Sequence, residues 1–217
     1  MSDSITAAAI RRELWALAGA TTPVVRAVRR RYSKRLALES PDIVLAIARS
    51  LAADKHWAAR VVAYELLAEH PAAMRRLSAA IVERMARGLA DWGSIDAFGV
   101  IIAGAAWREG RLPDRQVMRW ARSRDRWRRR LALVATVPLN SKARGGRGDT
   151  ARTLAVCRAL VEDRDDLVVK ALSWALRELS KRDPEAVSEF LSLENARLAS
   201  RVRREVQSKL DTGRKRS

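Results

Sequence analysis

The sequence predicts an all-α protein built from stacked helix pairs, and three observations lead there. Hydrophobic residues make up 48 % of the 217, yet aromatics only 5 %. The core must therefore be Ala, Leu and Val, which suits close-packed helices better than a sheet. Almost no segment alternates with a period of two, whereas apolar residues recur at helical spacing throughout. Start and stop signals recur so that helix pairs repeat at roughly 30–40 residues, the period of a helical-repeat solenoid.

The elements follow in order. Ser4 can cap a first helix over 5–18, with Gly19 as its stop. Thr22-Pro23 opens the next, whose stripe is Val24, Val25, Val28 and Tyr32, with Arg26, Arg29, Arg30 and Arg31 on the other side. Ser40-Pro41 opens a third carrying Ile43, Val44, Ile47 and Leu51. Trp57, Val61, Tyr64 and Leu67 mark a fourth that ends before Pro71. Met74, Leu77, Ile81, Val82 and Met85 mark a fifth that stops at Gly88. A helix from Trp92 to about Arg108 is broken by Gly110 and Pro113, and a short one holds Val117, Met118 and Trp120. The run Arg124-Asp125-Arg126-Trp127 begins another, which reaches Pro138. Residues 139–149, with Lys142, Arg144 and Arg147 among three glycines, read as a basic flexible loop. Helices near 150–162, 165–181, 184–192 and 195–210 follow. A single domain over 1–210 with a basic, disordered tail at 211–217 is the expected organisation.

The charge balance, 43 Lys and Arg against 25 acids for a net +18, points to a polyanion, most simply nucleic acid. Arg-rich codon usage would raise the charge without any partner. The guanidinium is nonetheless the better phosphate fork. Cys157 is the single cysteine, in an apolar run, so it reads as a buried thiol and excludes a disulfide framework or a cysteine zinc site. There is no dinucleotide fingerprint, phosphate loop or nucleophile elbow. His56 and His70 lack a convergent ligand set and read as surface or packing residues, so neither metal nor cofactor is expected. The N-terminus has no signal-peptide pattern, and no apolar run reaches membrane-spanning length. The expectation is a soluble, cytoplasmic monomer, on the nucleoid when bound to DNA, with no membrane partner.

The chemistry centres on Leu89-Ala90-Asp91-Trp92-Gly93-Ser94-Ile95-Asp96. Trp92 and Asp96 are four apart, so on a helix they share a face. A π surface beside a carboxylate suits a cationic or nucleic-acid ligand. On spacing alone, a core Trp and a capping Asp are the better reading, and the context reverses that. Trp15, Trp57 and Trp107 read as core, and Trp120 and Trp127 as packing.

The segment Val168-Val169-Lys170-Ala171-Leu172-Ser173-Trp174-Ala175-Leu176-Arg177-Glu178-Leu179, continuing through Lys181-Arg182-Asp183-Pro184, resembles a signature of the AlkD-like DNA alkylation repair family. Trp92-Gly93-Ser94-Ile95-Asp96 is similar to that family's Trp-x-x-x-Asp helix start. Trp127-Arg128-Arg129-Arg130-Leu131-Ala132 is similar to its Trp-x-x-Arg-x-Ala stretch. The resemblance covers about residues 20–208. It implies a HEAT-like-repeat solenoid, a right-handed superhelical stack of antiparallel helix pairs. It also implies a DNA glycosylase that hydrolyses the N-glycosidic bond of cationic N3- and N7-alkylpurines in duplex DNA, without a metal and without flipping the base into a pocket. Carried over, Asp96, Trp92 and Trp174 are the catalytic residues facing the sugar. Arg130 is the phosphate contact, although Arg128 and Arg129 adjoin it. Lys170, Arg129, Lys142, Arg144 and Arg147 complete the expected DNA contacts. The family usually has an acid immediately after the tryptophan of the middle motif, where this chain has Gly93. Non-catalytic relatives that bind bent or branched DNA are the alternative the resemblance leaves open, and a protein-binding scaffold is a third.

Overall fold

The structure, a computed structural model, describes residues 6–17, 19 and 21–213. All regular elements among the described residues are helical, as expected, and the chain divides into two compact units that meet in sequence at Gly88 and Leu89.

The first unit holds α1 (Ala7–Ala16), α2 (Thr22–Leu36), α3 (Pro41–Ala52), α4 (Trp57–Ala68), α5 (Pro71–Arg75) and α6 (Ala79–Met85). Thr6 caps α1 through the Ala9 amide; Ser4, the expected cap, lies outside the described residues. Ser40 caps α3 through Ile43 N, with Pro41 in the first turn, as its sequence signal predicts. The α3–α4 pair forms the centre of this unit, burying Val44, Ile47 and Leu51 from one helix and Ala59, Val62 and Leu67 from the other. The single helix expected from Met74 to Met85 is instead two. The Ser78 hydroxyl accepts from Ile81 N and starts α6 afresh, a local competition with the helix that serine is suited to win. His70 is a cap as well: its Nδ1 accepts from Ala73 N at the start of α5. Two tryptophans depart from the expected core. Trp15 is 57 % exposed, and Trp57, the first residue of α4, is 38 % exposed beside His56. The core of this unit is mostly aliphatic with Tyr32 and Tyr64 buried in it, and these two indoles stay at its margin.

The second unit begins with a helical run from Trp92 to Arg108, as expected, but the run is not uniform. α7 (Trp92–Phe98) passes through a π-helical turn (Gly99–Ala103) into α8 (Gly104–Arg108). α9 (Asp114–Ala121), α10 (Arg126–Val134), α11 (Val137–Asn140), α12 (Thr150–Ala159), α13 (Asp166–Leu179), α14 (Pro184–Leu193) and α15 (Ser200–Thr212) follow. α13 is buried along most of its length and packs on both α10 and α15. Trp107 and Trp120 are buried as expected, and the Trp107 indole donates to Asp114 at 2.7 Å. Cys157 is fully buried, and burial pushes its thiol well above the ordinary range.

Several polar links between neighbouring elements join residues 32 to 35 apart in sequence. Arg130 to Asp96 spans 34 residues, Arg129 to Asp163 spans 34, Arg201 to Asp166 spans 35 and Ser173 to Glu205 spans 32.

The segment expected to be a flexible loop is tied down. Val137–Asn140 is helical, Lys142–Arg144 is a 3-10 turn, and Gly145 takes a positive φ of 76° that closes it. Arg182 donates to the carbonyls of Asn140 and Gly146 at 2.7 and 2.6 Å, and the Asn140 side chain accepts from Asp149 N. Glycine content signalled flexibility, but here it serves close approach: a Cβ on Gly146 would sit 2.5 Å from the Pro138 carbonyl. At the C-terminus α15 continues through Thr212, so Asp211 and Thr212 are helical where a tail was expected; residues 214–217 of that expected tail lie outside the described residues.

Candidate functional site

Asp91 is the cap of α7. Its Oδ1 accepts from Ser94 N at 2.7 Å, which satisfies the helix start and relieves Asp96 of that role. The family's acidic position is Gly93 here, yet the helix start does not depend on it. A Cβ at Gly93 would lie 3.5 Å from Asp91 Oδ1, an ordinary contact. Trp92 becomes the first helical residue, with its indole 66 % exposed. Asp96 follows one turn later with its side chain 20 % exposed, so water and ligand can reach it.

Two glycines bring this helix against α10. A Cβ on Gly99 would meet Val134 Cγ1 at 2.7 Å, and one on Gly104 would meet the Ala135 carbonyl oxygen and Pro138 Cγ, both at 2.5 Å. In a regular α-helix, residues five apart point about 140° away from each other. The π turn hydrogen-bonds Gly104 N to Gly99 O and so turns both glycines toward one neighbour. The backbone approach sets Asp96 directly opposite Arg130.

Arg130 meets Asp96 as a fork. Its Nε lies 2.9 Å from Oδ1 and its Nη2 2.7 Å from Oδ2. The remaining Nη1 donates to the Leu167 carbonyl at 2.5 Å, in the first turn of α13. Three helices are pinned at one guanidinium. Burial pushes the Asp96 carboxyl above the usual range; the Arg130 hydrogen bonds and charge pull it back only in part, and nearby Asp91 adds to the rise. A carboxylate offers about four lone-pair sites, and the fork uses two, so one on each oxygen stays available.

Trp174 is partly exposed and not sealed in the core. It lies on the open stripe of α13 with Leu167, Lys170, Arg177 and Lys181, while the opposite face carries buried Val168, Ala171, Leu172 and Ala175. It sits seven residues from Leu167, two turns along the same side, about 10 Å. Among the described residues no hydrogen bond or ring contact joins it to Trp92 or Asp96. The structure therefore joins Asp96 to Arg130 directly and Arg130 to the start of α13, while Trp92 and Trp174 lie on the same helices as Asp96 and Leu167, with no side-chain hydrogen bond or ring contact to them among the described residues.

The expected DNA contacts divide. Arg130 has its side chain only 8 % exposed and its donors committed to Asp96 and Leu167, so it is not an open phosphate fork. Arg129 is likewise committed: Nε pairs with Asp163 at 2.6 Å and Nη1 with the carbonyls of Ser123 and Arg124. Sequence could not distinguish these roles, because three adjacent arginines look alike until a carboxylate 34 residues away chooses among them. Lys170 is exposed but pairs with Asp166 at 2.6 Å, which Arg201 also holds at 2.7 Å. Lys142, Arg144 and Arg147 are exposed on the ordered turn. Trp127, expected to pack, is partly exposed under the Arg126 guanidinium, 5.4 Å from the ring centre. Two features went unread in the sequence: the Asp91 cap and the Gly99–Gly104 pair. The Asp-x-x-Ser spacing was the available signal for the first, and two glycines inside an apolar helical run for the second.

The profile of a family described as DNA alkylation repair enzyme matches residues 5–210 of this chain. A search of curated proteins finds no match.

Proposed function

The chain belongs to the DNA alkylation repair enzyme family, and from that premise we propose that it is a monofunctional DNA glycosylase that releases cationic N3- and N7-alkylpurines from duplex DNA. The observation that carries this reading is the Asp96 carboxylate: held by the Arg130 fork, reachable from solvent, and one turn behind an exposed indole.

The chemistry suits these groups. An alkylated purine is already cationic, so its bond to C1′ is weak. When that bond breaks, the electron pair goes to the purine and neutralises it, and positive charge develops on the sugar, as in glycoside hydrolysis. Asp96 is placed to stabilise that charge and to take a proton from the water that adds at C1′. A carboxyl raised above its usual range is the better base, and the Arg130 fork keeps it ionised and aimed. The indole of Trp92 offers a face to the cationic nucleoside, worth about 0.5–2 kcal/mol. Trp174 with Lys170 would supply a second face and a backbone contact from α13. Arg130 acts through Asp96 and is a positioning residue in this scheme.

The test is incubation of the purified protein with methylated duplex DNA, with chromatography of the freed bases. Release of 7-methylguanine or 3-methyladenine is expected, with most of it lost in Asp96→Asn and in Trp174→Ala while the helical spectrum is kept. Equal release by both variants and the wild type would overturn the site. Salt-dependent binding without release would favour a non-catalytic DNA binder.

A further inference from the structure

The first unit contains a basic cavity that the chemistry above does not use. It has a volume of about 550 Å³ and lies where the ends of α3 and α6 meet. Its lining combines small apolar side chains, Ala46, Ala52, Ala53 and Met85, with Arg49, Arg84, Arg87 and Ser50. All three arginines are exposed, and among the described residues none pairs with a carboxylate. Exposed arginines without an acid partner among the described residues occur elsewhere in this unit, Arg12, Arg30 and Arg75 among them, but those three do not line this cavity. Arg11, Arg26 and Arg29 of the same unit are each tied to Asp54 or Glu65 at 3.0 to 3.1 Å. An arginine near a helix C-terminus is favoured by the helix dipole, and that accounts for Arg49 or Arg84 singly. It does not account for three arginines lining one hollow with no acidic residue among the lining.

We propose that this cavity is a phosphate-binding site that grips the phosphodiester backbone of duplex DNA through Arg49, Arg84 and Arg87. Three planar forks lining a hollow of this size suit tetrahedral oxyanions on a sugar chain, and the small apolar side chains beside them suit the deoxyribose face. The contact is independent of sequence and adds grip without touching the reacting bond. It rests on DNA being the substrate, not on base release itself, so it can fail or hold separately from the glycosylase reading.

The experiment measures binding of the full chain to an undamaged duplex by fluorescence anisotropy from 50 to 200 mM salt. It compares the wild type with R49Q/R84Q/R87Q and with R12Q/R30Q/R75Q, which removes the same charge from exposed arginines of the same unit outside the cavity. Loss of three phosphate contacts flattens the plot of log affinity against log salt by about 2.7. That corresponds to about 40-fold less change in affinity across the fourfold salt range. The expected result is a flattening of that order in the cavity variant and little in the control, with the single-turnover rate of base release at saturating protein unchanged. Equal flattening in both variants would reduce the cavity to diffuse charge and overturn the proposal. So would an unaltered slope together with inorganic phosphate raising the melting temperature of the wild type but not of R49Q/R84Q/R87Q, which would assign the cavity to a small free phosphate ligand. Circular dichroism of each variant confirms that it is folded.

Discussion

Arg130→Ala removes the group that holds three helices and leaves Asp96 facing an empty fork. The lost hydrogen bonds are the two to the carboxylate and the one to the Leu167 carbonyl. Breaking one partner of a mostly buried ion pair costs about 3–5 kcal/mol, because the surviving charge has lost its compensation. At about 2–4 °C per kcal/mol for a chain of this size, the melting temperature should fall by roughly 6–20 °C. The deficit should depend on pH. Folding already raises the Asp96 carboxyl, so the folded state holds that proton more tightly than the unfolded one, and the group favours folding below its unfolded pKa. This contribution is lost as pH rises through the folded value. Without Arg130 the folded value rises further, so the variant's deficit should be largest near neutrality and shrink in acid. The assay is thermal unfolding of the wild type, Arg130→Ala, Asp96→Asn and the double variant across pH 4 to 8. In the cycle the double variant should lose less than the sum of the singles, since removing both charges leaves none stranded. Additive losses, or a deficit under about 0.5 kcal/mol as for an ordinary surface arginine, would refute the idea that the fork organises this site.

Base release should decline in acid as Asp96 takes up its proton, with a midpoint above that of an ordinary aspartate, and Arg130→Ala should move that limb to still higher pH; a pH series of single-turnover rates reads both shifts. Gly104→Ala should destabilise by about 1–3 kcal/mol and lower activity, because its Cβ would overlap the Ala135 carbonyl and Pro138; chemical denaturation that leaves stability unchanged would mean the helices are not in close approach there. Replacing Lys142, Arg144 and Arg147 together by serine should flatten the salt dependence of duplex binding, since all three are exposed on an ordered turn; an unaltered slope would take that turn off the DNA face.

Much of this protein is legible in one dimension. The helical period, the Ser40-Pro41 start, the repeat length and the Trp92–Asp96 spacing all depend on neighbours within a few residues, or on counting, and need no tertiary contact to be read. Membership of the family was carried by three short motifs for the same reason: each is a local pattern, recognisable where it stands. The roles inside those motifs were not local. Which of Arg128, Arg129 and Arg130 serves Asp96 was settled when two glycines let α10 approach the π turn, placing one guanidinium within reach of the carboxylate and another against Asp163. Glycines between 145 and 148 looked like slack until Arg182 was found bonded to the carbonyls beside them. Trp15 and Trp57 carry the same apolar surface as Trp107, and only the stacking of whole helices left the first two exposed and buried the third. Periodicity assigns a residue to a face of its own helix. Whether that face meets another helix, a carboxylate or water is set by elements some 35 residues away.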